Sequence, residues 1–383
     1  MKSNSVALKA KDTCCGCGVC SFECPKEAIK MQQDREGFVY PVVDESICVN
    51  CGLCIKICPF NKKEETENSV LFCRAGYFQS KDKLSCSSSG GAATAISVKF
   101  IKSGGIVYGA AYTDDFKSIV VKRVSDEKDL SYLKGSKYAQ STKNDAFVKI
   151  KHDLSDGLKV LFIGMPCEVA ALKGFIKSDS NLFTAELICS GVTSQGVHKQ
   201  FVEYIEEKKR GRVASFTYRD GESSWHWPLI KATLTDGRIY RKPWYASMPG
   251  FAFKNFMRDS CYNCNFKGRN NKADITLGDF WGLKDTDSRF NPRGVSAIIV
   301  HTQKGEELLT DLDGFILHEA DLEQIKAGNP RLYSCLSKPG KRDYFGQLFS
   351  EKGLKYAFKK CMTNKDKIKD LIKTVFTYLS VRK

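Results

Sequence analysis

The sequence predicts a mixed α/β (α+β) protein, with a small metal-binding domain in front of a larger mixed-sheet domain. Three observations carry this. Nine of the 17 cysteines fall before residue 60, eight of them in two matching runs. From Val70 onward, short apolar runs alternate with stretches of helical period. A polar stretch, Asn61–Asn68, separates the two regions and reads as a linker.

In the first region, Cys14, Cys17, Cys20, Cys24 and Pro25 recur as Cys48, Cys51, Cys54, Cys58 and Pro59, always at an offset of 34. Each run reads C-x2-C-x2-C-x3-C-P, the pattern of bacterial two-cluster ferredoxins, in which the fourth cysteine ligates the other cluster. Cys14, Cys17, Cys20 and Cys58 are therefore expected to hold one 4Fe–4S cluster, and Cys48, Cys51, Cys54 and Cys24 the second. Iron–sulfur clusters take soft thiolates, and Gly18 and Gly52 permit the close backbone approach that such loops need. A pair of zinc sites is the competing reading. It fits poorly, since zinc favours two C-x2-C pairs across a longer loop. Cys15 has no counterpart in the second run and reads as a non-ligand.

In the second region, Gly105–Tyr112, Val160–Met165 and Phe183–Ile188 read as buried strands. Gly91–Ile101 and Val197–Lys209 read as helices, and Leu229–Tyr240 as a hairpin around Asp236-Gly237. The loop Ser87, Ser88, Ser89, Gly90, Gly91 opens a helix, where backbone N–H groups and the dipole favour phosphate; an ordinary Ser N-cap is the alternative. Gly109 sits in a strand where a ring or pyrophosphate can approach. Lys134, Gly135, Ser136, Lys137 and Tyr138 add two cations and an aromatic ring. Together these residues form a candidate clamp for an anionic cofactor. Trp225-His226-Trp227 and Trp244-Tyr245 read either as hairpin packing or as a stack on a ligand.

Cys167 and Cys189 each follow an apolar strand, where ligands bind in open sheets. Cys261-x2-Cys264 is half a metal site. These four cysteines are the candidate ligands of a third 4Fe–4S cluster, against a zinc tetrathiolate or unligated thiols.

The run Gly164-Met165-Pro166-Cys167-Glu168-Val169-Ala170-Ala171-Leu172-Lys173, the Ser/Gly loop, Lys134–Tyr138 and Asp274-Ile275-Thr276-Leu277-Gly278-Asp279 together resemble the beta subunit of coenzyme F420-reducing hydrogenase and its dehydrogenase relatives. The resemblance runs from Cys14 to about Phe345. It implies an FAD-bearing domain that exchanges hydride with a deazaflavin coenzyme or a related organic substrate, with iron–sulfur clusters alongside. The chain departs from the family at Cys189-Ser190-Gly191, where many members have Cys-His-Gly, and at Val192-Thr193-Ser194, where Val-Pro-Ser is common. The missing His puts a proton-donor or substrate-contact role there in doubt.

The expected organisation is residues 1–62 for the two-cluster domain, 70–345 for the FAD domain and 346–383 for a basic amphipathic tail. The expected function is an iron–sulfur flavoprotein oxidoreductase working with a redox partner protein or a small hydride carrier. An electron-transfer or docking subunit with clusters and no flavin is the second reading. Glu351–Lys383 has ten Lys or Arg against three acidic residues, with an apolar stripe at helical spacing. It reads as a solvated helix, a partner helix, or one resting on an anionic membrane. The formal charge of +16 has no nucleic-acid recognition motif beside it. No apolar run reaches the length of a membrane span, and Met1–Leu8 lacks a signal-peptide core. The expected location is the cytoplasm, with peripheral contact at the inner membrane face.

Overall fold

The computed structural model describes residues 4–61, 70–223, 225–268 and 273–381. The Asn61–Asn68 linker lies almost wholly outside them. The N-terminal region is ferredoxin-like. Short helices α1 (Val19–Phe22) and α2 (Leu53–Ile57) each carry one cysteine run, and the hairpin β1 (Ile29–Gln33) and β2 (Val39–Val43) lies between them.

The larger domain is built on an eight-stranded mixed sheet. Its first part runs β3 (Phe72–Phe78), α3 (Lys81–Ser85), α4 (Ala92–Lys102), β4 (Ile106–Tyr112), β5 (Ile119–Val124), α5 (Ala146–Ser155), β6 (Val160–Gly164), α6 (Pro166–Ile176) and β7 (Leu182–Leu187). After α7 (Gln195–Lys209), strands β8 (Val213–Thr217), β9 (Leu229–Leu234) and β10 (Ile239–Pro243) form a separate three-stranded sheet, followed by α8 (Met248–Asn255). The chain then returns as β11 (Ile275–Asp279), β12 (Ser296–Val300), α9 (Gln303–Glu307), β13 (Phe315–Ala320) and α10 (Leu322–Gly328). It closes with α11 (Arg342–Cys361) and α12 (Asn364–Val381). The main sheet has the order β13-β3-β12-β11-β7-β6-β4-β5.

At its centre β4, β6, β7 and β11 run parallel. Helices cover both faces, which is why these strands read as continuous apolar runs rather than alternating ones. Along β6, Val160 and Phe162 pack toward α5, α6 and the ferredoxin-like region, while Leu161 packs toward α4 with Ile96 and Phe100. The parallel strands point their C-terminal ends one way and so present Tyr112, Cys167, Cys189 and Asp279 from one edge.

Helix α11 runs through the boundary expected at 345/346. Its left-handed break falls at Gly353 (φ 77°). Phe345 is fully buried against Phe256, so the start of this helix belongs to the core. Among the described residues no helix is long and apolar enough to cross a membrane.

Candidate metal and cofactor centre

Both cysteine runs turn on a left-handed glycine, Gly18 (φ 80°) and Gly52 (φ 75°), which caps the following helix. A side chain at either position is strained. The turn brings three cysteines of a run onto one loop, while the fourth continues to the other half. Cys20 has Cys14, Cys58 and Cys54 as electrostatic neighbours; burial first, then these thiols, push its own thiol up to about 12. Cys24, Cys48, Cys51 and Cys54 line one cavity. The fourth cysteine of each run thus lies near cysteines of the other run.

A second cavity is lined by Cys167, Cys189, Cys261 and Cys264. Cys167 enters from the end of β6 and Cys189 from the end of β7. Cys261 and Cys264 come from the segment before β11. Gly191 (φ 127°) allows this closure, because a Cβ there would lie 2.4 Å from Met257 Sδ and 3.2 Å from Cys261 Cβ. Lys267 donates to the Cys189 carbonyl and, at 2.7 Å, to that of Arg331. Burial pushes Cys261 and Cys264 up to about 12. Such thiols keep their protons until a metal displaces them. Four thiols around one cavity suit a soft-metal cluster.

Cys15, read from sequence as a non-ligand, lines this same cavity. Its thiol is hydrogen-bonded to Cys167 and to Cys17, and those contacts pull its pKa well below that of an ordinary cysteine. The same contact, then burial, pushes Cys17 and Cys167 up. Cys15 therefore stands between the first cysteine site and the third. Its only signal in the sequence was its lack of a counterpart in the second run. Cys335 was also missed: its sulfur accepts from the Cys264 N–H at 3.2 Å.

The residues expected to clamp a cofactor meet only in part. The Ser136 N–H donates to Ser88 Oγ at 2.7 Å, joining the two loops. Helix α4 starts after Gly91 (φ 94°), which offers no side-chain cap, and its Ala92 N–H donates instead to Ser296 Oγ at 3.3 Å. Gly135 (φ 82°) has only Thr217 Oγ1 near a notional Cβ, at 3.8 Å. Ser87 and Ser89 instead donate to the carbonyls of Lys83 and Val295. Burial draws the Lys137 ammonium down to about 7, and it donates to the carbonyls of Tyr132, Leu133 and Lys134. Gly109 is buried, with Leu133 3.4 Å from its notional Cβ. Tyr138 stacks on Trp244 at 4.5 Å, and Trp225 on Trp281 at 4.8 Å. The tryptophans thus pack within the protein.

A cleft runs between the ferredoxin-like region and the large domain, from Gly16-Cys17-Gly18 to Ser141–Asn144 and Lys199. It leads from outside to the first cysteine loop.

Residues 13–62 match the profile of the 4Fe-4S dicluster domain. Residues 157–323 match that of the C-terminal part of the coenzyme F420 hydrogenase/dehydrogenase beta subunit. Both matches agree with the resemblance seen in the sequence, and the beta-subunit match covers less than half of the chain. The matched beta-subunit segment contains Cys167, Cys189, Cys261 and Cys264, whereas the Ser/Gly loop and Lys134–Tyr138 lie before it. No curated protein matches this chain. Among solved structures, a chain of the F420-reducing [NiFe] hydrogenase complex from Methanosarcina barkeri is similar at 18% identity, over 78% of this chain and 93% of that one, with a TM-score of 0.45.

Proposed function

We propose that this protein is an iron–sulfur flavoprotein oxidoreductase that passes electrons between a hydride carrier, a deazaflavin coenzyme or a related organic substrate, and its 4Fe–4S clusters. One observation carries the reading: Cys167, Cys189, Cys261 and Cys264 gather in a single cavity that also takes Cys15 from the dicluster loop. A third cluster held there lies against the first.

A bound flavin supplies the exchange of a hydride pair for single electrons. The joined Ser88–Ser136 loops at the N-terminus of α4 support phosphate binding for it. Cys51 is exposed at the second cysteine site, with Ile47, Val49 and Leu53 exposed around it. That face suits a redox partner protein. The protein acts in the cytoplasm, and α12 supports peripheral contact with the inner face of an anionic membrane. Ile368, Leu371, Ile372, Val375 and Leu379 all remain exposed along α12, beside Lys365, Lys369 and Lys373.

A second reading has support too. With Lys137 turned onto carbonyls and Ser87 and Ser89 bonded within the protein, an electron-transfer subunit without flavin fits the same cysteines. Anaerobic purification with iron, acid-labile sulfide and flavin counted per chain decides between them. About 12 irons with one FAD supports the proposal, at four irons per cluster. About 8 irons with FAD removes the third cluster. Irons with no flavin, even after FAD is added, refutes the enzyme and leaves the carrier.

A further inference from the structure

Arg258 heads the fully buried side chains of the described residues by size, at 1 % exposure. Its guanidinium donates to Gln140 Oε1 at 2.8 Å, the Cys14 carbonyl at 3.1 Å and the Val39 carbonyl at 2.8 Å. All three acceptors are neutral. Its flat face lies over Tyr40 and Phe38, 4.4 and 5.1 Å from the ring centres. The adjacent carboxylate, Asp259, is shared by Lys338 and Arg342. Among the described residues no carboxylate pairs with Arg258. A buried, unpaired charge is costly and persists only where another charge compensates it.

The cysteine sites are where that charge belongs. Arg258 lines the second cavity together with Cys15, Cys167, Cys189, Cys261 and Cys264. It also presses on the first loop. A Cβ on Gly16 (φ 65°) would lie 2.6 Å from Arg258 Nη2, so the glycine leaves the guanidinium room between Cys15 and Cys17. Four-thiolate clusters are anionic, and net charge and hydrogen bonding around them set their potentials.

We propose that Arg258 is the shared internal counter-cation of the first and third iron–sulfur sites, a positioning residue that raises the reduction potential of both. Its fixed charge favours the reduced, more negative form of each site. The second site lies beyond the first and does not share it. This rests on the cluster assignment proposed above.

The test is an anaerobic EPR-monitored potentiometric titration of the full chain. It compares wild type, Arg258→Gln and Arg258→Lys. The second site is assigned by the signal lost in Cys51→Ser. In Arg258→Gln the reduced-to-oxidised ratio of the first and third sites falls at least tenfold at a fixed potential, or 59 mV for a one-electron couple. The second site stays within twofold of wild type. Arg258→Lys keeps the charge but not the three-way fork, and its ratios stay within threefold. Ratios in Arg258→Gln within twofold of wild type would overturn the proposal, as would a tenfold fall in Arg258→Lys. If Arg258→Gln loses its iron, Arg258→Lys decides alone by those limits. A wild-type count of about 8 irons removes the third site from the reading, while the first-site shift still tests Arg258.

Discussion

The ferredoxin-like region is held to the large domain by an ion pair whose removal has a calculable cost. Glu36, in the β1–β2 turn, accepts two bonds from Arg342 at the start of α11, at 2.8 and 2.7 Å. The Arg342 side chain is 3 % exposed and that of Glu36 21 %. Arg342 also lies 5.0 Å from the centre of the Phe256 ring and 3.3 Å from Asp259. At an effective dielectric constant of about 20, Coulomb's law gives the contact a gross attraction of about 6 kcal/mol. Desolvation of Arg342 removes much of this, and Asp259 still faces the guanidinium after Glu36 is neutralised. A net loss of about 2 kcal/mol for Glu36→Gln follows. A double-mutant cycle of Glu36→Gln and Arg342→Met, read by anaerobic urea unfolding, yields a coupling of about 1–2 kcal/mol. Gly346→Ala supplies a third perturbation, since its Cβ would meet the Glu36 carboxylate. A coupling below about 0.5 kcal/mol, the ordinary range of an exposed pair, would refute the clamp.

Two further predictions use other parts of the molecule. Burial holds His198 down to about 4. It lies between the Tyr218 hydroxyl at 2.7 Å and the Phe116 carbonyl at 2.8 Å. Its folded pKa is below its unfolded one, so the unfolded chain binds the proton first and stability falls with pH from about 6.5 toward 4. By pH 5 the loss is about 2 kcal/mol; equal pH slopes for wild type and His198→Asn in anaerobic unfolding would count against it. For α12, wild type is expected to sediment with vesicles containing phosphatidylglycerol and not with pure phosphatidylcholine. Leu371→Glu with Val375→Glu abolishes that, and equal sedimentation on both lipids would remove the anionic surface as its partner.

Local patterns made much of the architecture legible. The cysteines of the dicluster runs sit at fixed short spacings, so chemistry and position were written together. The strand readings at Gly105–Tyr112, Val160–Met165 and Phe183–Ile188 fall on β4, β6 and β7 within a residue or so, because buried parallel strands are continuous apolar runs. The Leu229–Tyr240 hairpin is β9 with β10, whose second strand continues to Pro243. Features that depend on distant segments were not legible. The pairing of β11 with β7, and the placing of Cys15 beside Cys167, come from packing that no local period encodes. Arg258 was invisible for the same reason: an arginine before an aspartate reads as a surface charge until Gly16 and Tyr40 are seen to enclose it. At Gly109, a strand glycine that suggests ligand approach, Leu133 lies 3.4 Å from a notional Cβ.

The spread of the third cysteine site along the chain orders the making of the protein. During synthesis the whole dicluster run, Cys14 to Cys58, emerges early and carries every thiol it needs. The cavity of the third cysteine site waits for Cys264 and for the strands that bring Cys167 and Cys189 to one edge. On the proposed three-cluster assignment, iron–sulfur delivery to this chain is staged, with the first pair competent on a nascent fragment and the last one competent only on a nearly finished fold.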